Sequence, residues 1–209
     1  RIRLSSIEAT EVTRELIRVM SEHPEKVCPH LHISMQSGSD EVLRRMKRRW
    51  GSRRFVDRCQ LLKDSLPDPA ITTDIIVGFP GETAQEFQQT CDAARQVGFS
   101  KIHIFPFSAR RGTPAFDLPD QLSKREKSAR SRRLAALESE LRDEYFQRLV
   151  GRSLRVLVER SCDDRPGYVH GTACRYSPVV FPGDTSAVGQ LVNVTAESLA
   201  PGQILASRC

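Results

Sequence analysis

No two cysteines in this 209-residue sequence stand closer than twelve positions apart. Cys28, Cys59, Cys91, Cys162, Cys174 and Cys209 form no C-x-x-C or similar run, so no zinc or iron–sulfur motif can be read locally. The apolar content is that of an ordinary globular chain, which argues against a disulfide framework and leaves these thiols as buried or unremarkable. Aromatics are scarce, with a single tryptophan, Trp50. No apolar run approaches the length of a bilayer span and no signal-peptide pattern opens the chain, so the sequence reads as cytoplasmic, with no membrane partner. The first residue is Arg1 rather than Met, and the expectation is that the true beginning lies upstream.

What is present is positive charge, and it is clustered. The formal net charge is +6. From Arg44 to Arg58 eight basic residues face Asp57 alone, and from Gln121 to Arg133 six face Glu126 alone. The rest of the chain is therefore net acidic. Such clustering suits a polyanion, nucleic acid first; two solvated helix faces are the plainer alternative.

The first two-thirds alternate between strand and helix. Arg1–Ile7, His30–Met35, Ala70–Val77 and Lys101–Phe107 read as strands. Thr10, Ser39, Ser52 and the Thr83/Glu86 capping box read as helix starts. Four β–α units in series imply parallel strands with helices packed outside by right-handed crossovers. Half a barrel and part of an open sheet both satisfy this pattern. In either, ligands bind beyond the C-terminal strand ends. Those ends carry Ser5, Ser6 and Glu8, then Gln36-Ser37-Gly38-Ser39, then Gly78-Phe79-Pro80-Gly81-Glu82, then Ser108 to Gly112. A long helix is expected from about Ser123 to Leu149, with Leu134, Leu137, Leu141 and Tyr145 on one stripe. After Gly151 short alternating strands separated by Pro-Gly and Asp-rich turns predict a small closed or sandwiched β domain. The expected division is residues 1–150 and 151–209.

Four segments carry a resemblance: HLHISMQSGSD at 30–40, MKRRW at 46–50, TTDIIVGFPGET at 72–83 and HIFPFSARRGTP at 103–114. Together they resemble the radical S-adenosylmethionine (SAM) methylthiotransferases. RIRLSSIEAT and HLHISMQSGSD are most similar to the branch acting on threonylcarbamoyladenosine in tRNA, beside the anticodon. The tail resembles the TRAM domain that closes these enzymes. The resemblance implies an α/β fold in which a partial parallel β/α barrel precedes a small all-β, OB-like TRAM domain. It also implies SAM, two [4Fe–4S] clusters and tRNA as partner. The cluster ligands, among them a C-x-x-x-C-x-x-C motif, are absent here. The chain would thus supply the later part of the barrel and lack the N-terminal methylthiotransferase domain and the first half of the barrel; alone it would be inactive.

For the site, the resemblance assigns Gln36, Ser37 and Ser39 to the ribose or amino-acid part of SAM, where amide and hydroxyl groups hydrogen-bond. Arg48, two residues after Met46, would clamp the carboxylate. Gly78, Gly81 and Glu82 would shape the adenosine pocket; the glycines let backbone approach a ligand, although the loop is no P-loop. Asp74 would face either the barrel interior or a buried base, and Glu8 would touch cofactor or substrate. His30, His32 and His103 read as structural histidines, not metal ligands. Arg130, Arg132, Arg133, Arg152 and Arg155 are the candidate phosphate contacts, with Arg165, Arg175 and Arg208 beside them and Tyr168, Tyr176 and Phe181 as stacking faces. Two readings from other classes remain: a non-catalytic RNA-binding protein on a degenerate half-barrel, and an unrelated β/α enzyme for a phosphorylated metabolite.

Overall fold

A computed structural model describes residues 1–208, and Cys209 lies outside the described residues. The four expected strands are β1 (Ile2–Ile7), β2 (Val27–Ile33), β3 (Ala70–Val77) and β4 (Lys101–Pro106). They form one parallel sheet in the order β1-β2-β3-β4. Between them run α1 (Arg14–Glu22), α2 (Asp40–Arg45), α3 (Ser52–Ser65) and α4 (Ala84–Val97).

Side-chain alternation along each strand explains the layering. Leu31, Ile33, Ile71, Ile75 and Ile102 point to one face, where they bury against Phe55, Cys59 and Leu62 of α3 and Phe87, Cys91 and Val97 of α4. The alternate positions, His30 and His32, Thr72, Asp74 and Ile76, and Lys101, His103 and Phe105, therefore share the opposite face. This face is polar and carries none of those helices. The sheet thus has one face clad in helices and one polar face.

Helix starts follow local chemistry, with shifts. Thr83 and Glu86 cap α4 reciprocally. α1 is capped by the Thr13 hydroxyl and not by Thr10, which lies in a short 3-10 turn. At α3 the cap position is Gly51, and the Asp40 carboxylate accepts the Ser52 N–H at 2.6 Å. A carboxylate brought from α2 replaces the local cap.

The long helix α5 (Lys124–Leu149) opens on a Ser123/Glu126 capping box. Leu134, Leu137 and Leu141 join the α/β core, whereas Tyr145, Phe146 and Leu149 join a second one. That second core fills a closed barrel, β5-β6-β7-β9-β8, built from β5 (Ser153–Ser161), β6 (Tyr168–Ala173), β7 (Pro178–Pro182), β8 (Leu191–Ala200) and β9 (Gln203–Arg208). Phe181 is fully buried there, so it offers no stacking face; the Val179-Val180-Phe181 run did not reveal which side faces in.

Asp68 ties the two bodies together. Its carboxylate meets Arg152 at 2.6 Å and Arg148 at 3.8 Å. Its carbonyl accepts from the Tyr145 hydroxyl and from Arg175 Nε, both at 3.0 Å.

Candidate cofactor and RNA site

At the C-terminal ends of β2 and β3 the chain folds into two interlocking loops. Gln36 takes a left-handed φ of 65° and bridges in parallel to Ile75. Its N–H donates to the Asp74 carbonyl at 2.8 Å and its carbonyl accepts from Ile76 at 2.9 Å. Gly38 packs so closely on α4 that an added Cβ would lie 2.7 Å from the Thr90 Cα. The Ser37 hydroxyl is buried at 3.1 Å from the Thr90 hydroxyl. Ser39 stands at the start of α2, but its buried hydroxyl makes no cap bond and has no partner among the described residues.

The second loop turns on Gly78 and Gly81, both at φ 71°. Glu82 is fully buried and holds the loop from inside. One oxygen accepts the Gly78 N–H at 2.7 Å and pairs with the Arg130 guanidinium, while Oε1 has no hydrogen-bond partner among the described residues. Burial raises the Glu82 pKa above the usual carboxylate range; the Gly78 N–H and Arg130 only partly offset it. Nearby Glu86 goes the other way: although burial raises its pKa, hydrogen bonds from Arg45 and from its own cap hold it low.

A cavity of about 300 Å³ opens beside the Gly78 loop, lined by Arg45, Met46, Lys47, Arg48, Ile76, Phe79 and the 113–118 segment. Its floor is apolar and its rim cationic. Arg45 is committed to Glu86 at 3.0 Å. Arg48 is exposed, stacks over the Trp50 ring at 5.5 Å and has no acidic partner among the described residues. A larger groove of 540 Å³ lies between α3 and α4 on the helix-clad side; only Gly38 of the strand-end loops lines it.

The structure therefore brings Arg48 and Phe79 of the Gly78 loop to one cavity, whereas Gln36 does not line it and bonds the backbone of Asp74 and Ile76. The Ser37 and Glu82 side chains turn into packing contacts beside it. Phe79, Ile76 and Thr113–Leu118 were missed by sequence reasoning, although Phe79 sits in a motif it had singled out.

Below the cavity, the polar face of the sheet carries linked polar groups. Thr72 Oγ1 lies 3.0 Å from both His30 Nε2 and His32 Nδ1, and His32 Nε2 lies 3.2 Å from the Asp74 carboxylate. The His103 ring is 5.7 Å from that of His32. Burial, with the nearby Arg3 charge, drives the His30 pKa down to about 3. Burial lowers that of His103 as well, and Asp74 only partly offsets it. Asp74 thus pairs with a histidine on the polar face of the sheet. Among the described residues no three His, Cys, Asp or Glu come together as a metal site.

The basic start of α5 is split. Lys127 lies against Gly78 and its Nζ donates to the Phe107 carbonyl at 3.0 Å. Arg130 faces inward to Glu82, and Arg133 bonds Gln88 across Phe87. Lys124, Arg125 and Arg132 remain on the exposed side. In the β-barrel, Arg152 is exposed yet paired with Asp68, Arg155 donates to the Glu25 carbonyl at 3.3 Å, and Arg165 stacks on Tyr168 at 3.6 Å.

Residues 2–94 match the family model of the radical SAM superfamily. Over that stretch the chain is similar to radical SAM proteins. The chain is 41% identical, over 93% of its own length and 43% of the relative's, to a threonylcarbamoyladenosine tRNA methylthiotransferase of Bacillus subtilis. It is 38% identical, over 99% of its length and 42% of the relative's, to a tRNA-2-methylthio-N(6)-dimethylallyladenosine synthase of Mycobacteroides abscessus. It thus spans under half the length of these relatives. Among solved structures, coproporphyrinogen III oxidase from Escherichia coli, a radical SAM enzyme, superposes with a TM-score of 0.54 at 15% identity, over 68% of this chain and 32% of the other. That likeness concerns the fold alone. No helix among the described residues is long and apolar enough to cross a membrane.

Proposed function

We propose that this chain forms the cofactor-facing and RNA-facing part of a cytoplasmic tRNA methylthiotransferase acting on N6-threonylcarbamoyladenosine beside the anticodon. In this reading SAM occupies the strand-end cavity and the closed β-barrel is a TRAM-type RNA-binding module. The observation that carries it is a cavity at the C-terminal end of β3 in which Arg45, Lys47 and Arg48 rim an apolar lining of Ile76, Phe79 and Leu118. That combination suits a ligand with a flat apolar part and a carboxylate. When bound, SAM supplies the radical chemistry; Arg48 would hold its carboxylate, and Ile76 and Phe79 would shield its apolar part from water. The free, buried Ser39 hydroxyl beside the cavity loop is available for one further hydrogen bond. The described residues do not fit a [4Fe–4S] cluster, whose ligands would come from elsewhere in the protein. The polar strand face, with His32 on Asp74 and His103 beside it, supports this substrate over a dimethylallyl one.

Calorimetric titration of the full-length protein with SAM tests the cofactor assignment. Arg48→Ala should weaken binding at least about tenfold, as loss of a charged hydrogen-bond partner does. Arg53→Ala, on the helix side, should leave it unchanged. Equal effects from both substitutions would overturn the assignment.

A further inference from the structure

The polar face of β4 ascends from Lys101 through His103 to Phe105. The three residues alternate with Ile102 and Ile104, which pack into the helix-side core, so all three stand on the opposite face of the sheet. Phe105 is 51% exposed, unusual for a phenylalanine standing on a strand. It lies in register with Ile76, which floors the strand-end cavity. One pleat below, about 6.6 Å by strand rise, His103 lies in register with Asp74. Beneath these, Lys101, His103 and Arg142 line a second cavity of about 290 Å³, closed on its other side by Thr172 and Tyr176 of the β-barrel. Lys101 and Arg142 share the buried Glu138 carboxylate at 3.1 and 3.5 Å, and Arg142 also meets the exposed Asp143 at 3.1 Å. Lys101 keeps 40% of its side chain exposed.

We propose that this strand face reads the substituted adenine: Phe105 stacks on the base, and His103 and Lys101 receive a polar, anionic N6 substituent reaching down the wall. The inference rests on the threonylcarbamoyladenosine reading above. An unpaired base needs a flat aromatic surface that water does not compete for, and Phe105 offers one at the level of the cofactor cavity. A dimethylallyl group would need an apolar wall below that platform. This wall instead presents an acceptor at Asp74, an imidazole and an ammonium. A threonylcarbamoyl group carries N–H and hydroxyl donors followed by a carboxylate, the same order of chemistry met from Asp74 to Lys101.

The test is a fluorescence-anisotropy titration of the full-length protein with three anticodon stem-loops. At the target position they carry adenosine, N6-dimethylallyladenosine or N6-threonylcarbamoyladenosine. The unaltered protein should bind the threonylcarbamoyl loop most tightly. Phe105→Ala should weaken all three about tenfold, and Phe105→Tyr should restore them. Lys101→Met should abolish the threonylcarbamoyl preference without changing dimethylallyl binding. His103→Leu, which leaves the Glu138 ion pairs intact, should do the same and stands in if Lys101→Met unfolds in a thermal melt. An unaltered protein that prefers the dimethylallyl loop, or no loop, overturns the substrate reading and this inference with it. A threonylcarbamoyl preference that survives both Lys101→Met and His103→Leu, or a Phe105→Ala protein that binds normally, overturns this inference alone.

Discussion

The guanidinium of Arg130 meets the buried carboxylate of Glu82 forty-eight residues away, and the pair joins the long helix to the Gly78 loop. Glu82 needs this partner because its carboxylate is out of water and already bonded to the Gly78 N–H. A charge so placed is costly unless it is compensated.

Removing the compensation should therefore destabilise the fold. Arg130→Met leaves an unpaired buried carboxylate and should cost about 3–5 kcal/mol. Arg132→Ala, on the exposed side two residues later, should stay within about 0.5 kcal/mol. Urea unfolding at neutral pH measures both. The pH dependence has a definite sign. The folded-state pKa of Glu82 is raised, so protonation favours the fold: its contribution is fully present below the unfolded carboxyl pKa and is lost as pH rises through the folded one. Without Arg130 that pKa climbs further. The deficit of Arg130→Met should accordingly be larger at pH 8 than at pH 5.

His30 makes stability depend on pH in the opposite direction. Its folded pKa is about 3, against an ordinary 6.5, because burial excludes the charged ring. Above pH 6.5 both folded and unfolded forms are neutral and nothing is lost. As pH falls below 6.5 only the unfolded chain takes up the proton, and stability drops by up to about 1.4 kcal/mol per pH unit until the folded pKa is reached. A His30→Asn chain should lack this component. Comparing urea midpoints at pH 7.5 and 5.5 for the two proteins isolates it; equal slopes would mean that His30 is already charged in the fold.

Docking of the β-barrel should depend on Arg175. Its Nε and NH2 groups reach the carbonyls of Asp68 and Pro67 at 3.0 and 2.9 Å. Next to it Tyr176 packs on the His30 ring at 5.0 Å and under Arg3 at 5.0 Å. Arg175→Ala leaves the Pro67 carbonyl without this donor and the Asp68 carbonyl with Tyr145 alone, and should cost about 1–3 kcal/mol. Amide hydrogen exchange should rise around residues 66–69 and 173–177 while the centre of β3 stays protected. Uniform exchange across the chain would mean that the two bodies unfold as one unit without this contact.

Local signals were legible before any coordinates. The capping box at Thr83/Glu86 satisfies backbone N–H groups within one turn, so its chemistry is written in adjacent residues. The leucine stripe of α5 and the alternation of Leu154, Val156 and Val158 are equally local, and all are buried. Pairings between distant segments were not legible. Six basic residues between Lys124 and Arg133 are distributed around the helix, and only the position of Glu82 decides that Arg130 turns inward. Ser37 looked like a ligand-binding hydroxyl; Thr90, fifty-three residues later, claims it. Arg152 looked like a phosphate contact and is paired with Asp68 across the junction. Phe105 went unremarked because an aromatic on a strand is usually core, and only the burial of Ile102 and Ile104 shows which way it faces.

RNA binding should follow the split in the basic helix. Lys124, Arg125 and Arg132 are exposed, and their charges are free to meet phosphate. Lys127, Arg130 and Arg133 are engaged with Phe107, Glu82 and Gln88, so recruiting them to RNA would break contacts that hold the strand-end loops. Each phosphate contact releases counterions, so affinity for tRNA should fall steeply with salt, by roughly a thousandfold between 50 and 200 mM if six or more contacts form. Reversing Lys124, Arg125 and Arg132 to Glu should lower affinity and flatten the salt slope by about one per lost contact. The loss should be similar across tRNA species, because phosphate contacts carry no sequence information. Arg133→Gln, which keeps a hydrogen-bonding group for Gln88, should lower affinity less than the loss of any one exposed cation. Filter binding at several salt concentrations, with a DNA duplex as competitor, measures these effects. If the triple reversal leaves both affinity and slope unchanged, the exposed side of α5 is a solvated face, and phosphate contact must be sought on the β-barrel at Arg155 and Arg165 instead.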